Sequence, residues 1–422
     1  MKFALLACLL AGSLLFAGNQ DSDLNVNRRY TVDTVTVAGK GWKTDIVEPK
    51  GVKISSGLRK DLAALVGQKL NTGILDGLAD RLKSELFAKE VSHHVLRADV
   101  PEHVRVEFEV KSPRRLSADA TITKALYNSR DGWSGAGAVG FTFKNNSFLF
   151  GVASDGDTLN ERFAGITGRY ENKHLGTDRV GFRFQAESYH EQWNRNTIET
   201  AAAHPEETSA TYRARQNFEP TLTITIAKPL TLEFGVAFER FENQYPAMHM
   251  EAANALVTAL RFHERLSESD FQQDLDAAYS LRAATRVLAT DFVYTSHSGG
   301  LVYRIKHGKH QLTDAFNVGA ISGRAPLVDR FVAGNSYYLR GWNKYDLDPI
   351  GGNRLVHNAV EYRYGPFQAF YDTGAVWDSG QQQATPRHSI GIGIKESVFT
   401  LALAFPVRSG HVDPVVMMGI IY

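Results

Sequence analysis

From Leu116 to the C-terminus the apolar residues recur at every second position, and this constrains the fold more than any other feature. Val180, Phe182, Phe184 and Ala186 alternate with Gly181, Arg183, Gln185 and Glu187. Leu232, Phe234, Val236 and Phe238 alternate with Thr231, Glu233, Gly235, Ala237 and Glu239, and Ile390, Ile392 and Ile394 with Ser389, Gly391, Gly393 and Lys395. A period of two puts successive side chains on opposite faces of a strand, so each segment has one greasy face and one polar face. A sandwich would press the greasy faces together; a transmembrane barrel would turn them to lipid and the polar faces to a wet lumen. Charges occupy the second face so regularly that a dry core is not expected to satisfy them. In "FQAFYDTGAVW" the set Phe367, Ala369, Tyr371, Thr373, Ala375 and Trp377 carries an aromatic at each end, as interfacial girdles require. The barrel is the expectation.

About sixteen such segments lie between residues 116 and 422, among them 116–124, 209–226, 250–264 and 273–289. The turns "KNNS", "AKP", "HGK", "YGP" and "KES" are tight, and longer links such as 191–208 and 322–352 separate them. With an even strand number both ends of the barrel fall on the short-turn side, which in outer-membrane barrels is the periplasm.

The residues ahead of the barrel read differently. "MKFALLACLLAGSLLFAG" has Lys2, an apolar run from Phe3 to Phe16 and small residues behind it, the pattern of a secretory signal peptide over residues 1–20. Cys8, the single cysteine, lies in that run, so the mature chain is expected to hold no disulfide and no cysteine-bound metal. Over 28–112, "YTVDTVTVAG" reads as a strand. Leu58, Leu62 and Leu65, then Leu75, Leu78, Leu82 and Leu86, recur at helical spacing, and "VSHHVLRADV" and "HVRVEFEVK" read as two further strands. This is a small α+β domain of order β-α-α-β-β. No second apolar run reaches the ~18 residues of a membrane-spanning helix, and mean hydropathy is −0.25; neither observation bears on a barrel, whose alternation dilutes hydropathy. Forty-seven basic residues against 46 acidic ones leave no basic face for nucleic acid.

Motifs of catalysis fall away on context. "GAGAVG" at 135–140 fits the letters of a dinucleotide fingerprint but opens another strand, not a helix. "GWSGA" at 132–136 has Ala136 where a nucleophile elbow needs glycine. His93-His94 and "MHM" at 248–250 lack zinc-site spacing. The expectation is a protein without cofactor or metal that is not an enzyme.

One charged residue stands apart. In "NSYYLRGWNKYD" Arg340 sits between bulky apolar residues, inside a link of some thirty residues, longer than a compact fold keeps without purpose. A surface position is the ordinary reading of an isolated arginine. Two flanking strands offer another. Glu361 shares a face with His357 and Arg363, and Asp372 shares one with Gln368 and Gly374, opposite the aromatic set, so both carboxylates point into the lumen. If the link folds inward, the Arg340 guanidinium meets them as a fork suited to carboxylates, with Leu339 beside it, Gly341 allowing a close backbone approach and Trp342 packing on the wall.

"VDRFVAGNSYYLRGW", "NAVEYRYG", "FYDTG", "RHSIGIGI" and "LALAFPV" together resemble the C-terminal half of the outer-membrane protein assembly family, the bacterial surface antigens. That family includes the central barrel-assembly subunit and the two-partner secretion transporters. The resemblance implies a lumen-inserted loop between strands eleven and twelve, with Leu339, Arg340, Gly341 and Trp342 at its tip. It also implies a tip arginine paired with Asp372 of a strand carrying Gly374, with Glu361 in support. Residues 28–112 resemble a polypeptide-transport-associated domain, which the resemblance places in the periplasm and which takes up unfolded chains by strand addition. Trp342 replaces the family's usual Phe or Tyr, and one such domain stands where the assembly subunit has several. The implied partners are the outer-membrane bilayer, unfolded outer-membrane or secreted clients, and periplasmic accessory proteins. Two functions stay open: an insertase or translocase whose first strand parts from its sixteenth, or a passive or structural pore with no protein client.

Overall fold

The computed structural model describes residues 29–421, apart from 40–41, 46–53, 87, 114–116, 144, 156–158, 176, 178, 207–210, 228, 244–247, 268–270, 335–337, 381–382 and 409–412. The expected signal peptide, Cys8 and the terminal Tyr422 lie outside the described residues. The chain divides into two compact units, residues 1–114 and 115–422.

The first unit holds β1 (Thr31–Gly39), β2 (Trp42–Asp45), α1 (Ser56–Ala63), α2 (Thr72–Glu85), β3 (Ala88–Arg97) and β4 (His103–Pro113), with sheet order β2-β1-β4-β3. β1 and β4 run parallel, and β3 and β4 form a hairpin. The helices start where polar caps precede leucines. Ser55 accepts from the Leu58 amide (3.2 Å), and Asn71 accepts from Gly73 (3.0 Å). Ser55 also donates through its own N–H and hydroxyl to Glu85 (2.7 Å each), tying the start of α1 to the end of α2. The leucines at helical spacing form the core. Leu58, Leu62, Leu75, Leu78 and Leu82 bury against Val35, Val37, Val106 and Phe108 from the sheet. β2, four residues long, was not expected; "WKTD" is too short to show a period of two.

The second unit is a closed antiparallel barrel. Its strands are β5 (Ser117–Asn128), β6 (Gly132–Phe143), β7 (Asn146–Asp155), β8 (Asn160–Asn172), β9 (Val180–Trp193), β10 (Tyr212–Ala227), β11 (Leu230–Asn243), β12 (His249–Ala252), β13 (Ala255–Ser267), β14 (Phe271–Ala284), β15 (Tyr294–His307), β16 (His310–Gly323), β17 (Arg354–Tyr364), β18 (Phe367–Trp377), β19 (Arg387–Glu396), β20 (Phe399–Pro406) and β21 (Val415–Ile421). Both β12 and β13 pair with β11, so they occupy one position in the wall and the barrel has sixteen. The expected strand 250–264 is broken at Ala253-Asn254. There Asn254 donates to the carbonyls of Leu288 and Ala289 (2.9 and 3.1 Å), a side chain taking the place of ladder bonds. The expected strand 273–289 ends at Ala284, because Arg286–Leu288 form a 3₁₀ turn and Ala289 has a left-handed φ of 51°. The first strand runs four residues beyond the expected 124. The strands that flank the five expected tight turns begin and end where the sequence placed them, and strand parity puts these connections at one end. At the other end the links include two short helices, α3 (Arg195–Ala203) and α4 (Lys344–Leu347).

The greasy set faces outward: Phe234, Ile392, Phe150, Val152 and Ile166 are all about half exposed or more. The inward face is not wet throughout. At the short-turn end Arg261 and Arg265 remain open, at 58% and 61% exposure. At the long-link end the lumen is packed, and Glu191 and Glu239 are each 2% exposed there. A dry interior was expected to leave regular charges unsatisfied, but this end holds them. Charges of opposite sign arrive there from different strands and satisfy one another.

Candidate functional site

The link between β16 and β17, the eleventh and twelfth wall positions, turns into the lumen. Phe331 and Gly352 exchange backbone hydrogen bonds (2.9 and 3.0 Å), which closes the neck of the loop. Beyond the neck, Leu339 is fully buried with Ala333, Trp342 and Leu355, and its amide donates to Ala333 (2.9 Å). This local packing presents the next residue, Arg340, to the wall formed by β17 and β18.

Arg340 meets both carboxylates. Its Nε donates to Asp372 Oδ2 at 2.8 Å and its Nη2 to Oδ1 at 2.7 Å, a bidentate fork, and its backbone N–H adds a third bond to Oδ2 at 3.1 Å. Nη1 donates to Glu361 Oε2 at 3.1 Å, and Lys395 stands 3.5 Å from the other oxygen of Glu361. Asp372 is fully buried, whereas the side chains of Arg340 and Glu361 keep 13% and 15% exposure. One cation thus lies between two anions, and Lys395 balances the second. The guanidinium carbon lies over Phe370, 3.5 Å from the ring centre. Phe370 fits because Gly391 faces it; a Cβ on Gly391 would come within 2.0 Å of the ring.

Gly341 has φ +88°, the left-handed region, and a Cβ there would crowd Ala404, Pro406 and Ser389 at 3.1–3.3 Å. The positive φ strains any other residue, and a side chain would also have to press its neighbours aside by a few tenths of an ångström. Trp342 donates its indole N–H to the His388 carbonyl (2.8 Å) and lies between the Arg387 and Arg408 guanidinium groups, 5.1 and 4.8 Å from its ring. His357, 1% exposed, holds the Tyr338 carbonyl at 2.6 Å through Nε2. A carbonyl only accepts, so Nε2 carries the hydrogen and Nδ1 accepts from Asn317 (3.2 Å). Gly374 lies beside this histidine; a Cβ on it would approach the imidazole to 3.4 Å.

The structure therefore gathers Arg340, Asp372 and Glu361 into direct contact, with Leu339, Gly341, Trp342 and Gly374 around them. Phe370, Gly391, Arg387 and Arg408 escaped the sequence reading, although Phe370 was legible as a lumen-facing residue on the face of Asp372. The "GAGAVG" run lies within β6, paired on both sides with strands and followed by no helix. What the arrangement does is fasten the loop tip to the wall.

The seam between the first and last strands is short. Among the described residues β5 and β21 share five register pairs, Lys124–Asn128 against Met417–Ile421, where β14 and β15 share fourteen.

Residues 289–397, which include the whole loop with Asp372 and Glu361, match the Omp85 superfamily domain. No curated protein sequence matches the chain. Among solved structures, the fold is similar to BamA from Haemophilus ducreyi lacking POTRA domains 1–3, with TM-score 0.59 and 14% identity over 93% of this chain and 85% of that one. CdiB from Acinetobacter baumannii gives 0.56 and 14% over 93% and 73%, and CdiB from Escherichia coli 0.51 and 9% over 96% and 93%. At such identities the likeness is one of fold, and the matched domain covers the loop and the strands that seat it. The loop and the wall strands that carry Asp372 and Glu361 thus lie in a segment that matches the Omp85 superfamily domain, within a barrel whose fold is similar to those of BamA and CdiB.

Proposed function

We propose that this barrel inserts client polypeptides into the outer membrane or passes them across it, with Leu339–Trp342 as the working tip of its lumen loop. The observation that carries the reading is the bidentate seat of Arg340 on Asp372, backed by Glu361, inside an Omp85-type barrel. Five paired residues at the seam support a first strand that parts from the last and offers its free edge to a client strand. The first unit, in the periplasm on this reading, supplies a docking edge as well. Among the described residues β3 pairs only with β4, and its Val95 and Leu96 are exposed. Client strands would add there by main-chain hydrogen bonding, before or beside accessory proteins. The site acts by binding and needs no cofactor. A passive pore fits less well, since the lumen is packed at its long-link end.

A photocrosslinker placed in β5 tests the reading. Unfolded outer-membrane or secreted polypeptides should be captured there in membranes, and capture should vanish when residues 28–112 are deleted although the barrel still forms. Failure to capture any client at β5, in a barrel that folds normally, would leave the pore reading standing. Proline at His94, in β3, should mimic the deletion by removing a ladder donor.

A further inference from the structure

We infer that the base of the loop, rather than its tip, seals the long-link end of the barrel. The base has a core of its own. Leu327 and Ile350 from the loop bury with Leu159 from the β7–β8 link, Ala201 from α3, Phe292 from the β14–β15 link and Ile321 from β16. The rings of Trp193, Tyr212, Phe241 and Phe292 form a continuous chain of edge-on and tilted contacts, with successive centroids 5.0, 4.5 and 6.1 Å apart. α3 is fastened to the loop because the Thr197 hydroxyl donates to the Pro349 carbonyl, and Arg324 reaches across to the Pro205 carbonyl at 3.2 Å.

Beside this core runs a ladder of alternating charge that ends on the loop base. Glu191 faces Arg215 (3.2 Å), Arg215 faces Glu239 (3.3 Å), Glu239 faces Arg282 (2.7 Å), and Arg282 faces Asp329 (3.5 Å). Tyr294 takes a bond from Arg282 (3.0 Å) and gives one to Asp329. The next residue, Arg330, is buried on Asp378, and its Nε and Nη2 also donate to the carbonyls of Ile350 and Gly351 at 2.8 and 2.9 Å. Three acids and two arginines from four strands and the loop thus form one linked unit, in which each charge lies against an opposite one. Removing one member leaves its neighbour buried and unpaired, which is the costly case.

The two ends of the loop are fixed to different parts of the wall. The tip sits on β17, β18 and β19 with β20 behind it; the ladder lies on β9, β10, β11 and β14. A lumen cavity of about 630 Å³ separates them, bounded by Asp329 and Arg330 on the base side and by Tyr338 and Leu355 on the tip side. The Phe331–Gly352 neck lies between. Freeing the tip therefore leaves the base core and its ladder in place, so the tip can move during work on a client while the membrane stays tight to small ions.

Single-channel conductance of the full chain in planar bilayers, with no client added, tests this independently of the proposed transport. Asp329→Asn/Arg330→Gln should raise conductance roughly tenfold or more, as a one-decade shift between closed and open populations would. Arg340→Ala should disable client capture and leave conductance near that of the unaltered protein. Faster migration of unheated than of boiled protein verifies that each barrel has formed. If the double substitution prevents folding, Asp378→Asn takes its place under the same criteria. A folded base variant that stays closed, or an Arg340→Ala barrel that opens as far as the base variant, overturns the inference.

Discussion

The two units bury their leucines and phenylalanines in opposite directions. In the first, Leu58, Leu75 and Phe108 turn inward to a common core that excludes water. In the second, Phe234, Ile392 and Val152 turn outward, and charges turn in. The residues are alike and the solvent differs. Burial of apolar surface drives both, but for the barrel the apolar phase is the lipid around it. The long-link end is where the contrast fails: there the barrel encloses a core of its own, and the loop is part of it.

Substitutions break this comparison in order of size. Phe108→Ala removes a fully buried ring from the first unit and should cost about 3–5 kcal/mol. That unit should become sensitive to protease while the barrel keeps its heat-dependent mobility; a change in the barrel instead would mean that the two do not fold separately. Ile392→Arg, on the lipid face of β19, should cost about 2–4 kcal/mol if the position lies near the bilayer midplane, read by refolding into vesicles across a denaturant series. The reverse exchange sharpens the point, because Ile392→Ala leaves no cavity in a fluid phase and should be much milder than Phe108→Ala.

Arg340 asks whether the lumen behaves as core or as water. Arg340→Ala and Asp372→Ala should each cost about 1.5–3 kcal/mol, the range for hydrogen bonds to charged groups and below that of a fully dry pair. The double variant should be no worse than either single one, since both remove the same contact. A cysteine at 340 should react with an external maleimide far more slowly than one at 200. Additive effects, or equal labelling, would make this arginine an ordinary surface residue. The smallest expected effect is that of Trp342→Phe, about 0.5–1.5 kcal/mol for the lost bond to the His388 carbonyl. The remaining ring still lies between Arg387 and Arg408, so function should persist.

Much of the candidate site was legible in the sequence. Alternation alone put Asp372 and Glu361 on the inward face, because a strand has only two faces. The resemblance of "YYLRGW" and "FYDTG" to a known family joined loop to wall. Arg330 and Asp378 were not legible, nor was the ladder from Glu191 to Asp329. Each residue of that ladder sits in its own strand, or for Asp329 in the loop, as one more polar residue among many, and nothing along the chain pairs residues 191, 215, 239, 282 and 329. The break at Ala253-Asn254 was hidden for the same reason: it depends on a link thirty-five residues away.

What the amino-acid order determined by itself is whatever depends on near neighbours. The period of two fixes which face each side chain takes, Ser55 and Asn71 start their helices, the tight turns set the strand count, and Gly341 permits the left-handed bend at the tip. Tertiary structure alone decided which inward faces meet. Closing the sheet brought β9, β11 and β14 within reach of one loop, and only then did their charges become partners. A face is a property of one strand, whereas a pair of buried charges belongs to two, and the distance between strands is set by closure of the whole wall.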